Sequence, residues 1–143
     1  MTNVAQVLGD KVHQAVYTIR PDSTVLEAIS LMAEKGIGAL VVTHEDSVVG
    51  ILSERDYTRK IALMQRTSFD TTVNEIMTPK VITVTSATSV EDCLGLMTDR
   101  HLRHLPVVEN DKLIGLISIG DLVKAAMEDQ RKLIDQLQQY ISG

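Results

Sequence analysis

Hydrophobic positions along the chain change their period in one order, and that order then repeats. Residues 16–19 form a short, largely apolar stretch that predicts a strand. Val25, Ala28, Ile29 and Met32 follow at i, i+3, i+4 and i+7, one stripe on a helix. Thr24 precedes that stripe and Glu27 lies three residues further on, the pattern of a hydroxyl cap paired with an acid. Two apolar runs, 39–43 and 48–52, predict strands buried on both faces or nearly so. The polar His-Glu-Asp-Ser between them has hairpin length. A second helix is expected near Asp56, and Gly36 suits the end of the first.

The same series returns. A strand is predicted over 81–84, then a helix capped by Ser89 and Asp92 with Val90, Cys93, Leu94 and Met97 on one face. Strands over 105–108 and 113–117 flank Glu-Asn-Asp-Lys, and a further helix begins near Asp121. At an offset of 65, residues 16–59 align with 81–124 without a gap and match at 11 of 44 positions. Ordinary composition would give roughly 3 by chance, so the chain carries a duplication. Each copy reads βαββα, a mixed α+β (α/β) unit. A unit of about 50 residues buries too little surface to be comfortable alone, so the other copy is its expected partner.

The remaining segments frame these copies. Thr72 and Glu75 form another capping box, which predicts a helix of one or two turns before Pro79. Leu122, Ala125, Ala126, Leu133, Ile134, Leu137 and Ile141 predict a long terminal helix with one apolar face. The expected organisation is an N-terminal extension with a helix over 1–14, repeat one over 15–66, and a linker over 67–79. Repeat two then covers 80–127 and a helical extension 128–143.

Composition narrows the function. The 143 residues are 44% hydrophobic and 23% charged, as in ordinary globular proteins. Aromatics are 3% with no Trp, which removes the usual stacking platforms for single-stranded nucleic acid. The net charge of -5 argues against a sequence-independent hold on DNA or RNA. There is no apolar run near the roughly 18 residues of a membrane span and no signal-peptide pattern at the N-terminus. Cys93 is the single cysteine, so a reducing, cytoplasmic setting is expected.

The segments GILSERD at 50–56, EIMT at 75–78, LMTDRHLRHLPVVE at 96–109 and GLISIGDLVK at 115–124 resemble the CBS domain. The whole resembles a stand-alone tandem pair, or Bateman module, from about residue 16 to 127. The resemblance implies two βαββα repeats packed through their sheets about a pseudo-two-fold axis, with two clefts, and further association into homodimers or tetramers. It also implies that Ser53 with Asp56, and Ser118 with Asp121, hold an adenosine ligand. A carboxylate can accept from both hydroxyls of a ribose, and a hydroxyl beside free N–H groups can hold phosphate. The same Ser-x-x-Asp spacing is also an ordinary helix cap.

By the same resemblance Arg103 and His104 lie near the ligand's phosphates, and Arg suits phosphate through its planar fork of donors. Their alternative is a solvated helix end. Gly38, Ala39, Leu105 and Pro106 belong to the strand starts that would meet the adenine, with Thr18 and Thr83 as weaker candidates. Arg55 stands where copy two has Gly120, so the clefts are not equivalent. The second is expected to take AMP, the first a larger or less charged moiety. The ligands implied are AMP, ADP or ATP, NAD(H), or S-adenosylmethionine.

No catalytic cofactor and no metal are expected. His101 and His104 lack a second ligand pair at zinc spacing, and Cys93 falls on the predicted buried helix face. Neither a Walker motif nor a nucleophile elbow is present. The chain therefore reads as a non-catalytic module that senses energy or redox state and regulates an unidentified protein target. The rival is a ligand-independent dimerisation scaffold.

Overall fold

A computed structural model describes residues 2–9 and 16–142. The rest of the expected N-terminal extension lies outside them. The chain forms two compact units. One comprises Val16–Ile82 with Asn110–Ile114, the other residues 2–9, 83–109 and 115–142.

In the first unit β1 (Thr18–Ile19) runs parallel to β2 (Ala39–His44), which pairs antiparallel with β3 (Ser47–Ser53). The central strand buries Ala39, Leu40, Val41 and Val42 in succession, as its continuous apolar run predicts. The hairpin turns through Glu45 and Asp46, both at positive φ, the two-residue turn whose twist matches the strands. Helix α2 (Val25–Lys35) is capped by the Thr24 side chain and ends on Gly36 at φ 65, whose N–H bonds Met32. It lays Val25, Ala28 and Met32 against Leu40, Val42 and Leu52. After β3 come α3 (Glu54–Tyr57) and a π-turn over Thr58–Ala62.

The second repeat carries the same devices. Helix α5 (Val90–Arg100) is capped by Ser89 and ends on His101 in the left-handed conformation. β4 (His104–Glu109) and β5 (Lys112–Ser118) form a two-stranded sheet that turns through Asn110 and Asp111, again at positive φ. Helix α6 (Ile119–Ser142) continues as a regular α-helix.

The strand expected over 81–84 does not form. Val84 makes a single parallel bridge to Val107 instead. The pair equivalent to Thr18–Val41 would be Thr83–Pro106, and that rung needs an N–H that proline lacks.

The two short helices outside the aligned repeats dock in exchanged order. Helix α4 (Val73–Ile76) precedes repeat two in the chain but buries Val73 and Ile76 in the core of the first unit. Helix α1 (Val4–Gly9) precedes repeat one but belongs to the second unit, where Val4 and Ala5 donate to the carbonyls of Thr88 and Ser86. Gly50 and Gly115 make room for these approaches. A Cβ at 50 would meet Met77 Sδ at 2.5 Å and the Thr78 carbonyl oxygen at 3.0 Å; one at 115 would meet the Leu8 side chain at 2.5 Å.

Candidate functional site

Each unit presents one strand–helix junction built by the same bonds. In the first, the Asp56 amide donates to Ser53 Oγ at 3.2 Å. In return, Asp56 Oδ2 accepts from the Ser53 amide at 3.0 Å and its hydroxyl at 3.1 Å. In the second, the Asp121 amide donates to Ser118 Oγ at 3.2 Å and Asp121 Oδ2 accepts from the Ser118 amide at 2.9 Å. The capping role is thus realised in both repeats, satisfying N–H groups that a helix start leaves unpaired. The cap engages Oδ2 of each aspartate, so a ligand hydroxyl would share the carboxylate with the cap.

A second shared bond brings the strand starts to these junctions. Glu54 N–H donates to the Gly38 carbonyl at 3.0 Å, and Ile119 N–H to the Arg103 carbonyl at 3.0 Å. Ala39 and Ser53 are direct partners across β2 and β3. The first unit therefore gathers Gly38, Ala39, Ser53 and Asp56 at one sheet end, with Thr18 paired to Val41 further along β2. The second gathers Arg103, His104, Ser118 and Asp121. Arg103 is exposed, His104 half-buried, and Leu105 and Pro106 buried. Arg55 is exposed, and Thr83 is exposed beside the Val84 bridge.

The electrostatics differ between the junctions. Asp56 Oδ1 lies 3.8 Å from Lys60 Nζ, four residues along the turn. Residue 125, the equivalent of Lys60, is Ala. Sequence reasoning passed over Lys60, although its i, i+4 spacing from Asp56 is a legible signal. Elsewhere, hydrogen bonds from the Thr72 backbone and side chain, with help from Arg66, hold the Glu75 carboxyl below its usual range. The Ser86 hydroxyl and amide do the same for Glu109. Burial pushes the Cys93 thiol up, which fits a small core residue rather than a nucleophile or ligand. Among the described residues there is no cluster of His, Cys, Asp or Glu suited to a metal. None of the described helices is long and apolar enough to cross a membrane.

Fold and junctions define a duplicated module in which each copy carries the same hydroxyl–carboxylate pair after its last strand. The model of the CBS domain matches residues 5–63 and 73–128, and the chain belongs to the CBS-domain family as a tandem pair. It is 42% identical over 127 residues to the mitochondrial CBS domain-containing protein CBSX3 of Arabidopsis thaliana. That match covers 85% of this chain and 62% of the plant protein, so the chain spans under two thirds of that relative. A solved protein with CBS domains from Burkholderia ambifaria shares 51% identity at a TM-score of 0.84, over 90% of this chain and 96% of that one. CBSX2 of Arabidopsis thaliana, solved in complex with AMP, shares 28% identity at a TM-score of 0.68, over 80% of this chain and 90% of that one. CBS domains are regulatory rather than catalytic modules, and this chain is one of them.

Proposed function

We propose that the chain senses cellular energy or redox state by binding an adenine nucleotide at its Ser-x-x-Asp junctions and relays this to a protein target. Asp56 and Asp121 accept from the ribose hydroxyls, Ser53 and Ser118 face the phosphates, and Arg103 and His104 add donors to the second site. Gly38, Ala39, Leu105 and Pro106 contact the adenine, with Thr18, Thr83 and Arg55 at the margins. AMP is the ligand of the second repeat, and the first accepts a larger or less charged moiety, as NAD(H) would supply. The observation that carries this reading is that both repeats hold the hydroxyl–carboxylate pair beside a strand start by the same backbone bond. AMP in the complex of CBSX2 supports the ligand class. The exposed apolar residues of α6 support self-association of the chain as a homodimer.

Thermal-shift titration with AMP, ADP, ATP, NADH and S-adenosylmethionine tests the ligand. A nucleotide at 100 times its Kd adds about 2.7 kcal/mol of stability. Asp121→Ala is expected to abolish the AMP-induced shift, read against the variant's own ligand-free baseline because the cap is also lost. A shift from none of the five compounds, or an unchanged AMP shift in that variant, would overturn the reading and favour the ligand-free scaffold.

A further inference from the structure

Lys60 lies on the π-turn of the first unit, where the helix widens so that Leu63 N–H reaches back to the Thr58 carbonyl at 3.1 Å. Its ammonium donates to the carbonyl oxygen of Ile76, the last residue of α4, at 2.9 Å. The same nitrogen lies 3.8 Å from Asp56 Oδ1. One cation thus bridges the carboxylate at the junction and the end of the helix that leads out of the unit. The Asp56 side chain is only 14% exposed and that of Lys60 41%, so solvent screens this pair less than an open surface pair. The Ile76 carbonyl is one that a helix C-terminus leaves without an intrahelical donor, which favours an external one.

The second repeat lacks this arrangement. Ala125 replaces Lys60, and residues 123–127 lie in regular α-helix rather than a π-turn. Isolated π-turns recur at functional sites because they re-aim side chains that an unbroken helix would point elsewhere. Here the turn coincides with the residue that touches both partners.

We propose that Lys60 is a positioning residue that couples ligand occupancy at Asp56 to the docking of α4, in the first repeat alone. This rests on the reading of Asp56 as a ribose acceptor. A ribose hydroxyl donating to the Asp56 carboxylate competes with Lys60 for it. Lys60 is then held less firmly, and its bond to Ile76 weakens. Ligand binding therefore loosens the end of α4, and by linkage a partner that draws α4 away tightens the site. Nucleotide state is converted into the position of a linker segment.

Hydrogen exchange at the Met77 and Thr78 amides reads the end of α4 and its docking, because Met77 closes the last turn of α4 on Val73 and Thr78 donates to Ile51 of β3. Without ligand, Asp56→Asn and Lys60→Met should each speed exchange there by about fivefold, the lower end of ordinary coupling between sites. The double variant should be no faster than either single one, and Lys60→Arg should retain wild-type protection. Ser53→Ala breaks the same cap without removing the charge and should leave these amides protected. Additive effects of the two substitutions, or equal loss in Ser53→Ala, would overturn the coupling. NADH, the ligand read for the first repeat, should speed exchange at both amides in the wild type and not in Lys60→Met. Calorimetry on the same samples separates the two kinds of failure. NADH binding that is weakened in Asp56→Ala but leaves Met77 and Thr78 unchanged defeats the coupling alone; NADH binding that Asp56→Ala leaves intact defeats the nucleotide reading of the first repeat and the ligand coupling with it.

Discussion

Gly36 and His101 occupy the same place in the two repeats and adopt the same left-handed backbone. The glycine does so without strain, whereas a residue with a Cβ gives up about 1–2 kcal/mol. His101→Gly should therefore stabilise the protein by about 0.5–1 kcal/mol, once the freer unfolded glycine is counted. Urea unfolding measures it, and a loss of stability would show that the imidazole makes a compensating contact. The position of both helix ends was legible from the sequence, because helix termini follow local chemistry. The dual nature of Ser53 and Asp56 was legible too, but not its resolution. Capping and ligand binding draw on the same oxygens, and spacing alone cannot apportion them. Lys60 was half legible: Asp56 lies one turn away in sequence, whereas Ile76 reaches it only through the docking of α4.

At the level of elements, the exchanged docking of α1 and α4 explains why glycine stands at 50 and 115. Gly50→Ala would push a methyl into the Thr78 backbone as well as Met77, and should cost about 1–3 kcal/mol as an overpacked contact. Gly115→Ala meets only the flexible end of Leu8 and should cost less. Thermal unfolding of the two variants checks the order, and equal costs would mean that α4 yields as readily as a side chain. The sequence holds a trace of this relation. Asn3 and Gln6 exchange backbone-to-side-chain bonds just as Thr72 and Glu75 do, with buried aliphatic residues one and four places after each cap residue. That correspondence has an offset of 69 rather than 65, so an ungapped self-comparison misses it. The missing strand before Val84 has the opposite lesson. Its apolar run is adequate, but pairing depends on Pro106, more than twenty residues away.

Across the whole molecule, α6 sets the expectation for assembly. Beyond Asp129 every described residue of this helix is exposed, including Leu133, Ile134, Leu137, Tyr140 and Ile141. An isolated helix of that length is marginal in water, and its apolar residues share one face. Burial against a second copy would supply the missing stabilisation. Replacing Leu137 and Ile141 together with Glu should halve the mass seen by light scattering after size exclusion. An unchanged mass would place the self-association surface elsewhere or remove it. Asp129 is tied to α1 through Thr2, so the substitutions lie past the part of α6 anchored in its own unit.

The chain alone determined the duplication, the caps, the hairpin turns and the family, because each is written in neighbouring residues or in their repetition. Which repeat each outlying helix joins, which rung a proline removes, and which carbonyl Lys60 reaches were decided only by tertiary structure. Those contacts join residues far apart in the chain, and no local pattern encodes a partner that the fold alone brings near.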